Sequence, residues 1–248
     1  MTKPIALITG ATSGIGRATA ERFAKDGYNV IITGRRTERL ANIADELSQA
    51  YQTNILPLTL DVQNNEQVKQ AISDLSEEWQ AITVLVNNAG TALTTDTIQD
   101  GDPANWDIMI DTNIKGLLYV TRAILPGMLQ RENGHIINIG STAGHECYPG
   151  GNVYCATEHA VKAINKTLRI DLLGKPIRVT SVDPGMVHTE FSAVRWDDAE
   201  KGDKLYADMV PLQARDIADA VAYVAQVPKH VNVETMVVMP TAQASTTL

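Results

Sequence analysis

Cysteine is scarce in this chain of 248 residues, and the two present, Cys147 and Cys155, form no metal-ligand spacing. A reducing cytoplasm suits free thiols of that kind. The five histidines are scattered without ligand spacing, so no metal site is expected. Basic clusters are missing beyond the Arg35-Arg36 pair, and the net charge is −8, which argues against a nucleic-acid surface. No apolar run reaches membrane-spanning length, and no charged-then-apolar leader is expected at the N-terminus. Repeats, low-complexity tracts and linkers are absent as well, so residues 1–248 are expected to form one domain. The apolar content of 44% is enough for one large core in a cytoplasmic protein.

What the chain does have is a glycine-rich turn. Residues 4–8 read as a short buried strand and 15–25 as a helix with Ala18, Ala20, Phe23 and Ala24 on its apolar face. Between them TGATSGIG, at 9–16, places Gly10, Gly14 and Gly16 with Thr12, Ser13 and Ile15 in a G-x-x-x-G-x-G spacing. Bare backbone N–H groups at a helix N-terminus bind a pyrophosphate, and a side chain there would hold the ligand away.

Apolar runs and polar-faced helices then alternate: strands at 29–33, 54–60, 83–86, 135–139, 177–182 and 233–239, helices at 38–51, 65–79, 107–130, 151–173 and 217–227. The 107–130 helix is expected to kink or break near Pro126. Such alternation predicts an α/β, doubly wound Rossmann fold, with a parallel sheet of about seven strands and helices on both faces. Ligands of these sheets lie beyond the carboxyl ends of the strands, where Gly10, Arg35, Asp61 and Gly90 all fall. An acid at the end of the second strand would bind a ribose 2′-hydroxyl. Here Arg35 and Arg36 stand in its place, with Arg17 nearby, and guanidinium forks suit a 2′-phosphate. The expected cofactor is NADP(H).

TGATSGIG, the NNAG at 87–90, Asn113, Ser141 and Tyr154 together resemble the short-chain dehydrogenase/reductases over essentially the whole chain. That resemblance implies that Asp61 and Val62 flank the adenine, and that Asn88, Ala89 and Gly90 line the cofactor. Pro184, Gly185, Met186, Val187 and Thr189 would close over the nicotinamide carboxamide. Ser141 would polarise the substrate oxygen, Tyr154 would act as acid/base, and Asn113 would hold a relay water. Two long helices would pack against symmetry mates as a homotetramer, and residues 190–209 would form the substrate lid. The second half is most similar to the NADP-dependent 3-hydroxy acid and sulfoacetaldehyde branch, through YPGGNVY at 148–154, EFSAVR at 190–195 and Met239-Pro240. The implied substrate is a small polar carbonyl or alcohol, with Tyr148 and Arg195 in its site, Arg195 on a carboxylate or sulfonate. His145 and His188 could also face that pocket.

One position departs. Glu158 stands where the resemblance implies a lysine that binds the nicotinamide ribose and lowers the tyrosine pKa. Four residues on from Tyr154, it shares that helix face. A unit charge ~5 Å away at an effective dielectric of about 20 is worth roughly 3 kcal/mol, or about two pKa units. An ionised Glu158 would raise the tyrosine pKa while still accepting ribose hydrogen bonds. NADP(H) binding with depressed turnover follows, most severely for alcohol oxidation. Lys162 is expected to bridge Glu158 at the surface, or else to substitute for the missing cation. The alternative readings are an NADP(H)-binding but catalytically silent regulator or scaffold, and an inactivated variant of an ordinary reductase.

Overall fold

A computed structural model describes residues 3–246. Seven parallel strands lie in the order β3-β2-β1-β4-β5-β6-β9: β1 Ile5–Ile8, β2 Asn29–Gly34, β3 Ile55–Thr59, β4 Ile82–Asn87, β5 Gly134–Ile139, β6 Ile177–Pro184 and β9 Thr235–Val238. The order reverses between β1 and β4, the switch point at which doubly wound sheets bind nucleotides. Every residue of β1 is buried, as a central parallel strand covered on both faces requires.

Two apolar cores explain the layers. On one face α1 (Gly14–Lys25), α2 (Thr37–Tyr51) and α9 (Ala214–Gln226) bury Phe23, Leu40, Leu47, Ile217 and Val221 against the sheet. On the other, α3 (Asn65–Ser73) and α5 (Leu117–Gln130) bury Val68, Val120, Ile124 and Met128. The long α6 (Asn152–Asp171) follows β5, and a chain of buried amides holds it there: Asn87 donates to Asn138, and Asn138 to Asn165 of α6, at 2.9 and 3.0 Å.

Three expectations need correction. The helix expected over 65–79 stops at Ser73, and Glu77–Trp79 is a separate 3₁₀ turn that buries Trp79. The helix expected at 107–130 begins earlier, as α4 (Pro103–Ile110), with Asp102 capping the Ala104 N–H at 2.9 Å. Its interruption lies not near Pro126, which sits inside α5, but in a π-helical turn over Asp111–Gly116. That wider turn buries Asn113 and brings Gly116 against Val62, where a Cβ would overlap the valine methyl. The stretch 190–209 folds as α7 (Glu190–Trp196) and α8 (Ala199–Lys204), anchored by a short ladder of β7 (Val187–His188) with β8 (Leu212–Gln213).

Candidate active site

A cavity of about 960 Å³ opens at the carboxyl ends of the strands. Gly10, Thr12, Ser13, Gly14, Ile15, Arg35, Arg36, Asp61, Val62, Asn88, Ala89 and Gly90 line one part of it. Ser141, Tyr148, Tyr154, Glu158, Pro184, Gly185, Val187, Thr189 and Arg195 line the other. Of the residues singled out in the sequence, Gly16 and Asn113 lie one layer behind the wall.

The glycine turn is built for close approach. Gly14 has φ +52°, which only glycine adopts without strain, and a Cβ there would come within 3.3 Å of Thr189. A Cβ on Gly16 would collide with the Gly10 carbonyl and the Asn88 amide. Thr9, which the sequence pattern gave no reason to single out, ties the turn to β4: its hydroxyl accepts the Asn88 and Ala89 N–H groups at 3.0 and 2.9 Å. The Asn88 side chain returns to the Thr9 and Gly10 carbonyls at 2.9 and 3.2 Å.

The two arginines differ. Arg36 is engaged by the Thr12 hydroxyl at 2.6 Å, by Ser13 at 3.0 Å and by Glu190 of α7 at 3.1 Å. Arg39 joins that pair through Glu190 at 2.9 Å, and the two guanidinium groups hold the Glu190 carboxyl below its usual range, against the cost of its partial burial. Arg35 lines the cavity with no side-chain partner among the described residues. Arg17, expected near the phosphate, instead pairs with Glu46 at 2.8 Å.

Asn113 is held by three hydrogen bonds. Its carbonyl accepts the Thr91 N–H at 2.8 Å, and its amide donates to the Thr91 carbonyl and the Thr157 hydroxyl at 2.9 and 3.0 Å. These bonds clamp the π turn to the loop after β4 and to α6. Ser141, which follows β5, lies near Tyr154 and favours its phenolate. Burial outweighs that help and, with Glu158 adding to it, pushes the Tyr154 phenol well above its ordinary value of 10. Glu158 is 7% exposed, and burial next to Asp183 raises its carboxyl from 4.5 to about 8. At neutral pH it is therefore predominantly protonated, not the carboxylate that a surface position would give.

Lys162 neither bridges Glu158 nor reaches Tyr154. Its ammonium lies 3.2 Å from His145 Nδ1, and His145 Nε2 lies 2.6 Å from Asp183 Oδ2. Lys162 is thus linked through His145 to the buried Asp183 of β6, while Glu158 is buried. The cation beside Tyr154 is Arg195, 5.6 Å from its ring centroid. Arg195 also donates to the Thr94 carbonyl at 3.1 Å and the Tyr148 hydroxyl at 2.9 Å. Neither His145 nor His188 lines the cavity. His188 is drawn to Asp203, at 2.9 Å. Gln243, missed in the sequence, accepts the Met186 N–H at 2.8 Å and packs on Gly185, so it fixes the loop that lines this side of the cavity. No local pattern marks it.

The short-chain dehydrogenase model matches residues 4–200. The chain belongs to the short-chain dehydrogenase family. The chain is 48% identical over 242 residues to the NADP-dependent 3-hydroxy acid dehydrogenase YdfG of Salmonella typhi, covering 97% of this chain and 96% of that protein. It is 49% identical to sulfoacetaldehyde reductase 2 of Chromohalobacter salexigens, covering 97% and 95%. A closed form of serine dehydrogenase complexed with NADP⁺ superposes with a TM-score of 0.94 at 46% identity, covering 98% of both chains. Among the described residues no helix is long and apolar enough to cross a membrane, and no cluster of metal-ligating side chains occurs.

Proposed function

We propose that this chain is an NADP(H)-dependent oxidoreductase that interconverts a small polar aldehyde or ketone and its alcohol, of the semialdehyde, sulfoacetaldehyde or 3-hydroxy acid type. The observation that carries this reading is the convergence of the glycine turn, an unpaired Arg35, Ser141 and Tyr154 on one cavity in a chain whose relatives are named for such reactions. The cofactor fits the residues present: the glycine turn that lines the cavity packs against Asn88 and Ala89 more closely than a Cβ would allow, and Arg35 has a free guanidinium fork for a 2′-phosphate. When bound, the nicotinamide supplies or accepts a hydride. Ser141 hydrogen-bonds the substrate oxygen, and Tyr154 gives that oxygen its proton in reduction or removes it in oxidation. Asn113 positions α6 and the loop after β4. Arg195, already oriented by Thr94 and Tyr148, turns its remaining donors to a carboxylate or sulfonate.

Glu158 leaves cofactor binding intact and depresses turnover. A neutral carboxyl supplies none of the stabilisation of the phenolate that a cation one turn from Tyr154 would provide. Asp183, buried beside it, is the counter-charge such a cation would meet. NADPH consumption on addition of malonic semialdehyde or sulfoacetaldehyde tests the function, with Tyr154→Phe as control. Consumption that Tyr154→Phe lowers by at least ~10²-fold supports the reading; NADPH binding without consumption favours the silent one.

Arg35→Ala should weaken NADPH binding roughly 10- to 100-fold, the worth of charge-assisted hydrogen bonds, and leave NADH binding unchanged. Equal losses for both cofactors in a titration would move the phosphate site elsewhere. In the same reading the chain is a homotetramer: Ala156 and Ala163 of α6 are exposed small residues, and Ile170 and Leu173 beyond them are exposed and apolar. Light scattering should return four times the chain mass, and a monomer mass would contradict this assembly.

A further inference from the structure

We propose that Thr94 is a positioning residue for Arg195, and that its strained backbone sets how readily Arg195 lets a bound anion go. The proposal rests on the oxidoreductase reading above, in which Arg195 holds the substrate carboxylate or sulfonate.

Among the described residues, four other than glycine have positive φ: Gln52, Thr94, Glu132 and Asp197. Gln52 and Asp197 cap the ends of α2 and α7, and Glu132 follows the end of α5. A left-handed residue commonly closes a helix in those places. Thr94, at φ +54°, lies in the loop between β4 and α4 and closes no helix. It alone of the four is β-branched, the side-chain type least suited to that region. Strain of this kind persists only where neighbouring groups over-determine the backbone.

At Thr94 those groups belong to Arg195. The Thr94 N–H donates to the Arg195 carbonyl at 2.9 Å, and Arg195 Nε donates back to the Thr94 carbonyl at 3.1 Å. The flanks are tied to other elements. The Leu93 N–H points to Met109 Sδ of α4 at 3.5 Å, and the Asp96 carbonyl accepts the Asn152 amide of α6 at 2.7 Å. A Cβ on Gly150 would collide with the Thr95 carbonyl, so the loop is packed tightly on that side as well. With its flanks fixed, Thr94 is bent towards α7 and held there by Arg195 at both of its backbone groups.

The hold serves the site. Arg195 Nη2 donates to the Tyr148 hydroxyl at 2.9 Å, and Nε is taken by Thr94. Nη1 is left without a partner among the described residues, and it is the nitrogen offered to an oxyanion. The same pair forms a partition. Leu93, Thr95, Val194, Arg195 and Trp196 line both the main cavity and a side cavity of about 390 Å³, which Thr94 also lines. Parting Thr94 from Arg195 frees the guanidinium from its brace and opens one space to the other. With α7 withdrawn, neither backbone group of Thr94 is held, and the left-handed conformation relaxes. Part of the energy that seats α7 is thus stored at Thr94 and returned on opening, which keeps the stay of the anion short.

Both bonds use the Thr94 backbone, so replacing the side chain keeps them and changes the strain. A left-handed backbone costs a β-branched residue roughly 5- to 30-fold in population relative to glycine. Glycine regains freedom when the loop opens, so the net effect is roughly 3- to 10-fold. Amide hydrogen exchange of the cofactor-free, full-length protein reads this directly. Protection at residue 94 and at residues 193–196 should rise by that factor in Thr94→Gly, and should rise also in Thr94→Asn. Thr94→Val, β-branched like threonine, should match the unmodified chain. Unchanged protection in Thr94→Gly means that the strain outlasts opening, and overturns the proposal. An equal rise in Thr94→Val assigns the effect to the lost hydroxyl and overturns it too.

The second readout is release of 3-hydroxypropionate from the NADPH-loaded protein, a pair that cannot react because alcohol and cofactor are both reduced. Followed by NADPH fluorescence after rapid dilution, release should slow roughly 3- to 10-fold in Thr94→Gly and keep its rate in Thr94→Val. Release from Thr94→Gly at the unmodified rate overturns the role of Thr94 in letting the anion go. No binding of 3-hydroxypropionate by the unmodified chain overturns the substrate reading and that role with it, while hydrogen exchange still decides where the strain lies.

Discussion

Replacing Glu158 by lysine raises kcat for alcohol oxidation at neutral pH roughly 10- to 100-fold. The upper figure is the worth of a unit cation at ~5 Å and an effective dielectric of about 20, near two pKa units on the tyrosine. The lower figure allows for the weaker base that a more acidic phenol becomes. Oxidation at saturation draws on the phenolate, which burial makes rare in Tyr154, whereas reduction starts from the phenol already present. The equilibrium constant fixes the ratio of the two kcat/KM values, so the asymmetry belongs to kcat. The introduced ammonium would have the buried acid Asp183 as its counterpart, which makes its burial tolerable. Steady-state oxidation of 3-hydroxypropionate or serine by NADP⁺ checks the expectation. An unchanged kcat in Glu158→Lys would mean that Arg195 already sets the tyrosine.

Glu158→Gln, by contrast, stabilises the fold above pH 8, by up to about 5 kcal/mol. The native carboxyl titrates near 8 and the unfolded one near 4.5, so between those values the unfolded chain releases a proton that the folded chain keeps. Stability therefore falls as pH rises through this window and levels off above it, at about 1.4 kcal/mol per pKa unit. His135 works in the opposite sense. It is 2% exposed, and burial lowers its pKa from 6.5 to about 3, so protonation of the unfolded chain erodes stability as pH falls from 6.5 towards 3. The two slopes oppose each other between 4.5 and 6.5, and above 6.5 only that of Glu158 remains. Urea unfolding at pH 6 and pH 9 should show the unmodified chain losing stability with pH and Glu158→Gln nearly flat. Parallel pH dependences would place the buried proton on another group.

The parts of this fold legible in the sequence are those with a local signal. Alternating apolar runs and polar-faced helices, and glycines between a strand and a helix, specify the sheet, its direction and the cofactor end. Arg35, Asp61 and Gly90 followed from strand ends alone, and all line the cavity. Contacts distant in sequence were not legible. Glu190 reaches Arg36 across 154 positions, and Gln243 holds Met186 across 57, with nothing local to mark either. The π turn escaped because its cause is tertiary: Asn113 must meet Thr91 and Thr157 at once, and Pro126 offered a more conspicuous but incorrect reason for a break. Lys162 misled for a related reason. Helical spacing places it near Glu158, but burial of Glu158 turns that carboxyl away from solvent, and His145 takes the lysine instead.

The central claim is that this chain is a working reductase whose tyrosine is under-activated by residue 158. It is tested most directly by NADPH formation from NADP⁺ with 3-hydroxypropionate and serine, on the unmodified chain and Glu158→Lys side by side at neutral pH. The account predicts NADPH formation by both proteins, faster with lysine. Equal rates, or NADP⁺ bound by both and reduced by neither, would contradict it.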